Sequence, residues 1–160
     1  MQGPTWLARA TPLVACAAGL LGSPLRAQTA PSVDALSSQE SASLKAVCGK
    51  CHNLQVVLGA RMSYDAWHDT VQSMIDRGAQ GSDEQLDDVM DYLHRNLATI
   101  NVNVADSEEL GIVLEIPDAV VKAVIMRRKS KKFESLADLK SVPGINAAVL
   151  DTKAQLLFFK

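Results

Sequence analysis

The sequence lacks a second C-x-x-C pair, and beyond its first 27 residues it lacks a long apolar run. A tetrahedral zinc site needs four nitrogen or sulfur ligands, and the three cysteines of the chain leave no second pair to complete one. A membrane-spanning helix needs about 20 apolar residues, so no transmembrane segment is predicted in the mature chain. An active site would need an acid, a base or a nucleophile that converge. We find no such set and do not expect an enzyme.

Residues 1–27 have the order of a secretory signal peptide. Arg9 precedes a short apolar run from Leu13 to Leu21, and Ala27 ends the segment with a small residue. Charge, a short apolar core and a small cleavable residue are typical of such signals. We therefore predict export to the periplasm with cleavage near Ala27. Residues 28–38 are rich in Ser, Ala and Pro and are predicted to form a disordered linker.

Cys16 offers an alternative for the same segment. The stretch from Leu13 to Cys16 resembles a lipoprotein cleavage box, which would make Cys16 an acylated anchor. The apolar run continues past Cys16 to Leu21, which suits an ordinary signal core better. The lipid anchor is kept as the minor alternative.

The sequence from Cys48 to His52 reads C-G-K-C-H. C-x-x-C-H is the signature of covalent attachment of a c-type haem. We predict that Cys48 and Cys51 form the two thioethers, and that His52 is the proximal iron ligand. Haem iron held in this way does one-electron chemistry. Export agrees with this prediction, because c-type haem is attached outside the cytoplasm.

Three other interpretations of this stretch remain open, and each lacks something it needs. A zinc site lacks its other ligands. A thioredoxin-like dithiol lacks the preceding strand and the βαβ context, since the flanks read as helical. A disulfide across two residues would be strained and would leave His52 unexplained.

The charge balance changes partway along the chain. Residues 33–98 carry ten acidic and five basic side chains, whereas residues 99–160 carry eight acidic and nine basic ones. This difference predicts two modules, a haem domain over 39–98 and a second domain over 99–160, in a fold that is all-α.

Capping residues predict three helices in the first module. Ser37 with Glu40 starts a helix that ends in the C-x-x-C-H stretch, a second begins near Ser63, and Ser82 with Gln85 starts a third. Sixty-odd residues bury little apolar surface by themselves. The domain should therefore fold poorly without haem.

This first module resembles a small class I-like cytochrome c. The resemblance rests on C-x-x-C-H, on S-Y-D-A-W at 63–67, on M-I-D-R-G-A at 74–79 and on D-Y-L at 91–93. It implies one covalent haem c whose sixth ligand is a methionine. Met74 fits the family pattern, Met90 is the next choice, and Met62, in a predicted loop, ranks last. His68 and His94 leave a bis-histidine alternative, although each is expected to be a partly exposed surface residue.

The second module contains an internal repeat. Asp106 with Glu109 starts its first helix in the manner of a capping box. Two helix–Pro-turn–helix units lie about 26 residues apart, with Pro117 in the first turn and Pro143-Gly144 in the second, and the helix after Pro117 is expected to run to about Met126. With I-N-V-N at 100–103, this half resembles the tandem helix-hairpin-helix domain of the exported competence DNA-receptor family. The resemblance implies that the hairpins expose backbone N–H groups to a nucleic-acid phosphate.

The hairpins depart from the family pattern at several positions. Asp118 and Val120 stand where the first hairpin would have glycines, and Asn146 replaces the second glycine of the other hairpin. Only the second hairpin, which keeps Gly144, could still bring its backbone close to a phosphate, and Lys153 is expected to assist it. The basic run 127–132 could neutralise phosphates, but a solvated helix end is the favoured interpretation.

Together these patterns predict an exported monohaem c-type cytochrome that carries electrons by outer-sphere transfer. Its partner would be a periplasmic redox protein, and the second module would be an interaction domain. The alternative is a periplasmic DNA-binding protein of the competence-receptor type, in which residues 99–160 bind duplex DNA weakly and the haem is regulatory or structural.

Overall fold

The structure, a computed structural model, describes residues 36–160. The predicted signal peptide, Cys16 and most of the predicted linker lie outside the described residues. The described part is mostly helical, as predicted. Its elements in chain order are α1 Ser38–Val47, α2 Leu54–Gly59, β1 Met62–Ser63, α3 Tyr64–Asp76, α4 Asp83–Leu97, β2 Ala98–Asn101, α5 Ser107–Leu114, α6 Asp118–Ser130, α7 Leu136–Lys140, α8 Ala147–Lys153, a 3₁₀ turn Ala154–Leu156 and β3 Leu157–Phe158.

The predicted helix starts are confirmed. Ser37, Ser82 and Asp106 each cap a helix in a complete capping box, in which the side chain three residues later bonds back to the cap residue's own N–H. Ser63 accepts a hydrogen bond from the third residue of α3 in the same manner. These bonds satisfy backbone donors that a helix start leaves unpaired.

Two expectations about secondary structure are wrong. The first module has four helices, because the short apolar α2 follows the C-x-x-C-H stretch with Asn53 as its cap. The fold is also not purely α-helical, because residues 36–160 contain three strands, which pair in parallel in the order β1-β2-β3. Met62 lies opposite Ala98, and Ile100 lies opposite Leu157. Met62, predicted in a loop, is therefore held in a strand.

The I-N-V-N stretch joins distant parts of the second module. Ile100 and Val102 are buried, while the two asparagines between and after them bond to backbone groups. Asn101 pairs with both the N–H and the C=O of Lys160. Asn103 donates to the carbonyl of Phe133 at 2.9 Å and accepts from its N–H at 2.8 Å. Each side-chain amide thus acts like an extra strand partner for another segment.

One continuous apolar core crosses the predicted boundary between the modules. Leu44 and Leu93 belong to the first module, Leu110 and Leu150 to the second, and all four are in the same buried cluster. Ala98, at the boundary itself, is fully buried. The two modules therefore pack against each other along α4 and β2. Among residues 36–160, no helix is long and apolar enough to cross a membrane.

Candidate functional site

The C-x-x-C-H stretch forms a tight turn at the end of α1. The N–H groups of Cys51 and His52 both donate to the carbonyl of Cys48, at 3.3 and 3.1 Å. Gly49 is required in this turn, because a Cβ at that position would lie 2.7 Å from the carbonyl oxygen of Lys45. Cys48 is half-buried, whereas Cys51 and His52 are exposed. The turn thus holds two thiols and an imidazole within five residues.

An apolar cavity of about 430 Å³ lies beside this turn. That volume falls in the range of ligand and cofactor pockets. The turn and α1 form one part of the lining, α2 and β1 another, and α3, its C-terminal turn and α4 the rest. The lining residues are Val47, Cys48, Cys51, His52, Val56, Val57, Ala60, Met62, Trp67, Thr70, Val71, Met74, Ile75, Arg77, Ala79, Val89 and Leu93.

The M-I-D-R-G-A stretch ends α3 at the cavity. The N–H of Ala79 donates to the carbonyl of Met74, and the N–H of Gly78 donates to that of Ile75. This pair of bonds is a Schellman motif, and Gly78 supplies its left-handed residue with a φ of +100°. The motif returns the chain so that Met74 and Ala79 line the same cavity.

The structure brings together Cys48, Cys51, His52 and Met74, the four main residues of the predicted site. It separates Met90 from them, because Met90, on α4, packs against the hydrophobic core and does not line the cavity. Met62 lines the cavity instead, and the hydroxyl of Thr70 lies 3.7 Å from its sulfur in donor geometry. Met62 therefore takes the place of Met90 as the second candidate thioether.

Neither histidine of the bis-histidine alternative lines the cavity. The imidazole of His68 is 70% exposed and lies 3.9 Å from Asp69. His94 was expected near the surface, but it is only 7% exposed. Its ring stacks on Tyr64 with 3.7 Å between the centroids. Burial lowers the pKa of His94, so its neutral form is favoured at this position.

The geometry gives little support to a zinc site or a redox dithiol at the two cysteines. Among the described residues, no group of three or more His, Cys, Asp or Glu side chains is arranged to hold a metal ion. Burial raises the pKa of the Cys48 thiol. A redox dithiol needs the opposite shift, because the thiolate is the attacking species.

The two hairpins of the second module face each other. In the first, Glu115 adopts the left-handed conformation that ends α5, and Pro117 precedes α6. In the second, Gly144 has a φ of +90°, and a Cβ there would lie 2.6 Å from Cγ2 of Val120. Asn146 already accepts from two of the first N–H groups of α8. Gly144 is thus explained by packing between the hairpins.

Several basic residues of this module serve internal contacts. Arg128 donates to the carbonyls of Val102 and Ala105 at 2.9 and 2.7 Å. Arg127 donates to the carbonyl of Lys131 and lies over the ring of Phe133. The exposed cations that remain in the 127–132 run are its three lysines, of which Lys131 is 3.6 Å from a carboxylate oxygen of Glu134.

Lys153 was predicted to assist phosphate binding, and this prediction is wrong. Lys153 is 5% exposed, and its ammonium donates to the carbonyl of Arg95 at 2.6 Å. It also forms an ion pair with Glu115. The side chain therefore joins α8 to the ends of α4 and α5 and is not available to a ligand in solution. Sequence patterns missed this role, since nothing local distinguishes Lys153 from an exposed lysine.

In the comparison with known proteins, a match is found for the second module. The family model described as the helix-hairpin-helix motif matches residues 95–158. The match takes in nearly all of the predicted second module, and this motif indicates a module that interacts with DNA. No curated protein and no solved structure matches the chain.

Proposed function

We propose that the chain is an exported c-type cytochrome with one covalent haem, a periplasmic electron carrier rather than an enzyme. The observation that carries the proposal is an apolar cavity lined by both thiols and the imidazole of one C-x-x-C-H turn. These residues fit the group: Cys48 and Cys51 would form the thioethers, His52 would be the proximal ligand, and Met74 would be the distal one. Bound haem iron would supply one-electron oxidation and reduction.

The chain's own part is to bury the cofactor on most sides and leave one side open. Trp67, Val89 and Leu93 are buried and close the inner part of the cavity. Cys51, His52 and Val56 also line it, and all three are exposed. An apolar interior disfavours the oxidised, more positively charged state of an iron centre, while an open side allows a redox partner to approach.

The surface of the first module favours a partner with a basic docking patch. Helix α4 presents a series of exposed carboxylates, Asp83, Glu84, Asp87 and Asp91, of which Asp91 is paired with Arg95. Such a surface speeds association with a partner of opposite charge, and the effect weakens as salt screens it. Oxidation by a small cationic reagent should therefore slow as ionic strength rises, whereas oxidation by an anionic reagent should accelerate.

The distal ligand is tested by substituting each methionine of the module separately. The protein is produced with a periplasmic haem-attachment system, and the methionine-to-iron charge-transfer band of the oxidised form is recorded. Met74→Ala should abolish the band, whereas Met90→Ala, a matched control outside the cavity, should leave it intact. Loss of the band in Met62→Ala alone would assign the ligand to β1. Loss in Met90→Ala would contradict the proposed site.

A second candidate function is sequence-independent binding of duplex DNA, and the helix-hairpin-helix match favours it. Exposed lysines would supply the main contacts, since a Cβ at Gly144 would meet Val120 in the packing between the hairpins and Lys153 is buried. Asp118, at the first position of α6, would also repel a phosphate. Any binding should therefore be weak and steeply dependent on salt.

The DNA candidate is tested with matched pairs of lysines. Lys131→Gln with Lys132→Gln removes two exposed cations of the basic run, and Lys45→Gln with Lys50→Gln removes two exposed cations of the first module. Each lost phosphate contact reduces the slope of log K against log salt by about 0.9. A slope reduced by about 2 in the first pair only would support DNA binding by this surface. No binding of the full chain at low salt would exclude it.

A further inference from the structure

We propose that Arg77 binds a carboxylate of the group that fills the cavity. The inference rests on the proposed function, in which that group is haem, whose porphyrin carries peripheral propionate carboxylates. It assigns to Arg77 a binding role that the C-x-x-C-H turn and the methionines do not provide.

Arg77 is the one permanently charged side chain in a lining that is otherwise apolar or neutral, as far as the described residues go. No carboxylate lines the cavity with it. The nearest acidic residue along the chain, Asp76, accepts instead from the side chain of Gln72 at 3.0 Å. A ligand with an apolar body and an anionic group would therefore find its counterion at Arg77.

The other arginines of residues 36–160 all have partners within the protein. Arg61 and Arg128 donate to backbone carbonyls, Arg95 pairs with Asp91, and Arg127 bonds to Lys131 and stacks on Phe133. In that same part of the chain, the guanidinium of Arg77 makes no hydrogen bond or ion pair. The arginine without a partner is thus the one that lines the cavity.

The end of α3 fixes the backbone from which the Arg77 side chain extends. Arg77 is the C-cap residue, and the Schellman bonds of Gly78 and Ala79 lock the backbone on its far side. A helix C-terminus carries partial negative charge and would repel a carboxylate. A guanidinium there offsets this repulsion and can bind a carboxylate through two parallel hydrogen bonds.

The alternative role for Arg77, without a ligand, is a favourable interaction with the helix dipole alone. That role would affect stability but not the ionisation of a cofactor carboxylate. A cation within about 4–6 Å lowers the pKa of a carboxylate by about 1–3 units. A measurement of the pKa of the propionate therefore distinguishes the two roles.

The experiment compares wild type, Arg77→Gln, Arg77→Lys and Lys50→Gln, each with haem attached and each checked by thermal unfolding. The reduction potential is measured as a function of pH. Asp76, which precedes Arg77 in the chain, and His52, which lines the same cavity, are unchanged in every variant. Lys50 is an exposed cation between the two cysteines that does not line the cavity, which makes Lys50→Gln the matched control.

The carboxylate pKa is read from the dependence of the reduction potential on pH. Arg77→Gln should raise this pKa by about one unit, a tenfold change in the acid constant. Arg77→Lys should give an intermediate shift, because it keeps the charge but loses the bidentate geometry. A curve for Arg77→Gln that superimposes on wild type, or an equal shift in Lys50→Gln, would overturn the role of Arg77 alone. Failure of the wild type to attach haem would overturn both this inference and the proposed function.

Discussion

Substitution of Gly144 by alanine tests whether this glycine serves packing between the two hairpins. An alanine at a φ of +90° costs about 1–2 kcal/mol, because its Cβ meets the backbone in this region. The new Cβ would also lie 2.6 Å from Cγ2 of Val120, and overpacking of this kind costs about 1–3 kcal/mol. We therefore expect Gly144→Ala to lower the free energy of unfolding by about 2–5 kcal/mol.

Gly78 provides a matched control for the backbone term. Its φ is +100°, but a Cβ there would meet nothing within 4 Å. Gly78→Ala should thus cost only about 1–2 kcal/mol. The entropic gain in the unfolded chain is the same for both substitutions, so it cancels in the comparison.

Urea unfolding of both variants, followed by circular dichroism, measures the difference. Val120→Ala removes the methyl group that the new Cβ would strike, so in the Gly144→Ala background it should recover about 1–3 kcal/mol relative to additivity. Equal losses in Gly144→Ala and Gly78→Ala, or strict additivity with Val120→Ala, would refute the argument. Gly144 would then be open to a role outside packing.

Three further predictions concern contacts within the fold. Asn103→Ala should lower the free energy of unfolding by about 2–3 kcal/mol in urea titrations, since both backbone groups of Phe133 lose their partner. Lys153→Met should cost about 1–3 kcal/mol, and a double-mutant cycle with Glu115→Gln should show coupling between the two side chains. The lowered pKa of His94 means that the unfolded chain binds more protons, so stability should fall as pH drops below about 6.5, and His94→Phe should flatten that dependence. An unchanged slope in His94→Phe would contradict the last of these.

The helix starts were predictable because their determinants are local. A capping box needs only two residues three positions apart, and the boxes at Ser37, Ser82 and Asp106 all formed as the sequence indicates. The breaks between helices were equally local, since Pro117 and the Pro143-Gly144 pair interrupt the helical pattern on either side. The extent of α6 was less predictable, and it continues to Ser130, past the expected end near Met126.

The strands and the contacts between modules were not predictable, because they depend on distant parts of the chain. Strands β1 and β3 are two residues each, too short to show an alternating pattern. Met62 enters β1 only because β2 lies alongside it. Lys153 is buried because Arg95 and Glu115 meet it there, which no spacing in the sequence reveals.

The sequence indicated some residues of the candidate site but not the full lining of the cavity. C-x-x-C-H identified Cys48, Cys51 and His52 by type and spacing alone. The choice among methionines depends on tertiary packing, which places Met62 and Met74 at the cavity and Met90 outside it. Arg77 belongs to the recognisable M-I-D-R-G-A stretch, but only the cavity lining indicates a ligand for it.

The most direct test of the central claim is whether the exported protein carries haem bound covalently through Cys48 and Cys51. The protein is produced with a periplasmic haem-attachment system, extracted with acidified acetone to remove any haem that is not covalently bound, and examined by its reduced-minus-oxidised spectrum. The account predicts one c-type haem per chain that survives extraction in wild type and is lost in the Cys48→Ser, Cys51→Ser double variant. A wild-type protein without covalent haem would contradict the cytochrome proposal and leave DNA binding as the function to test.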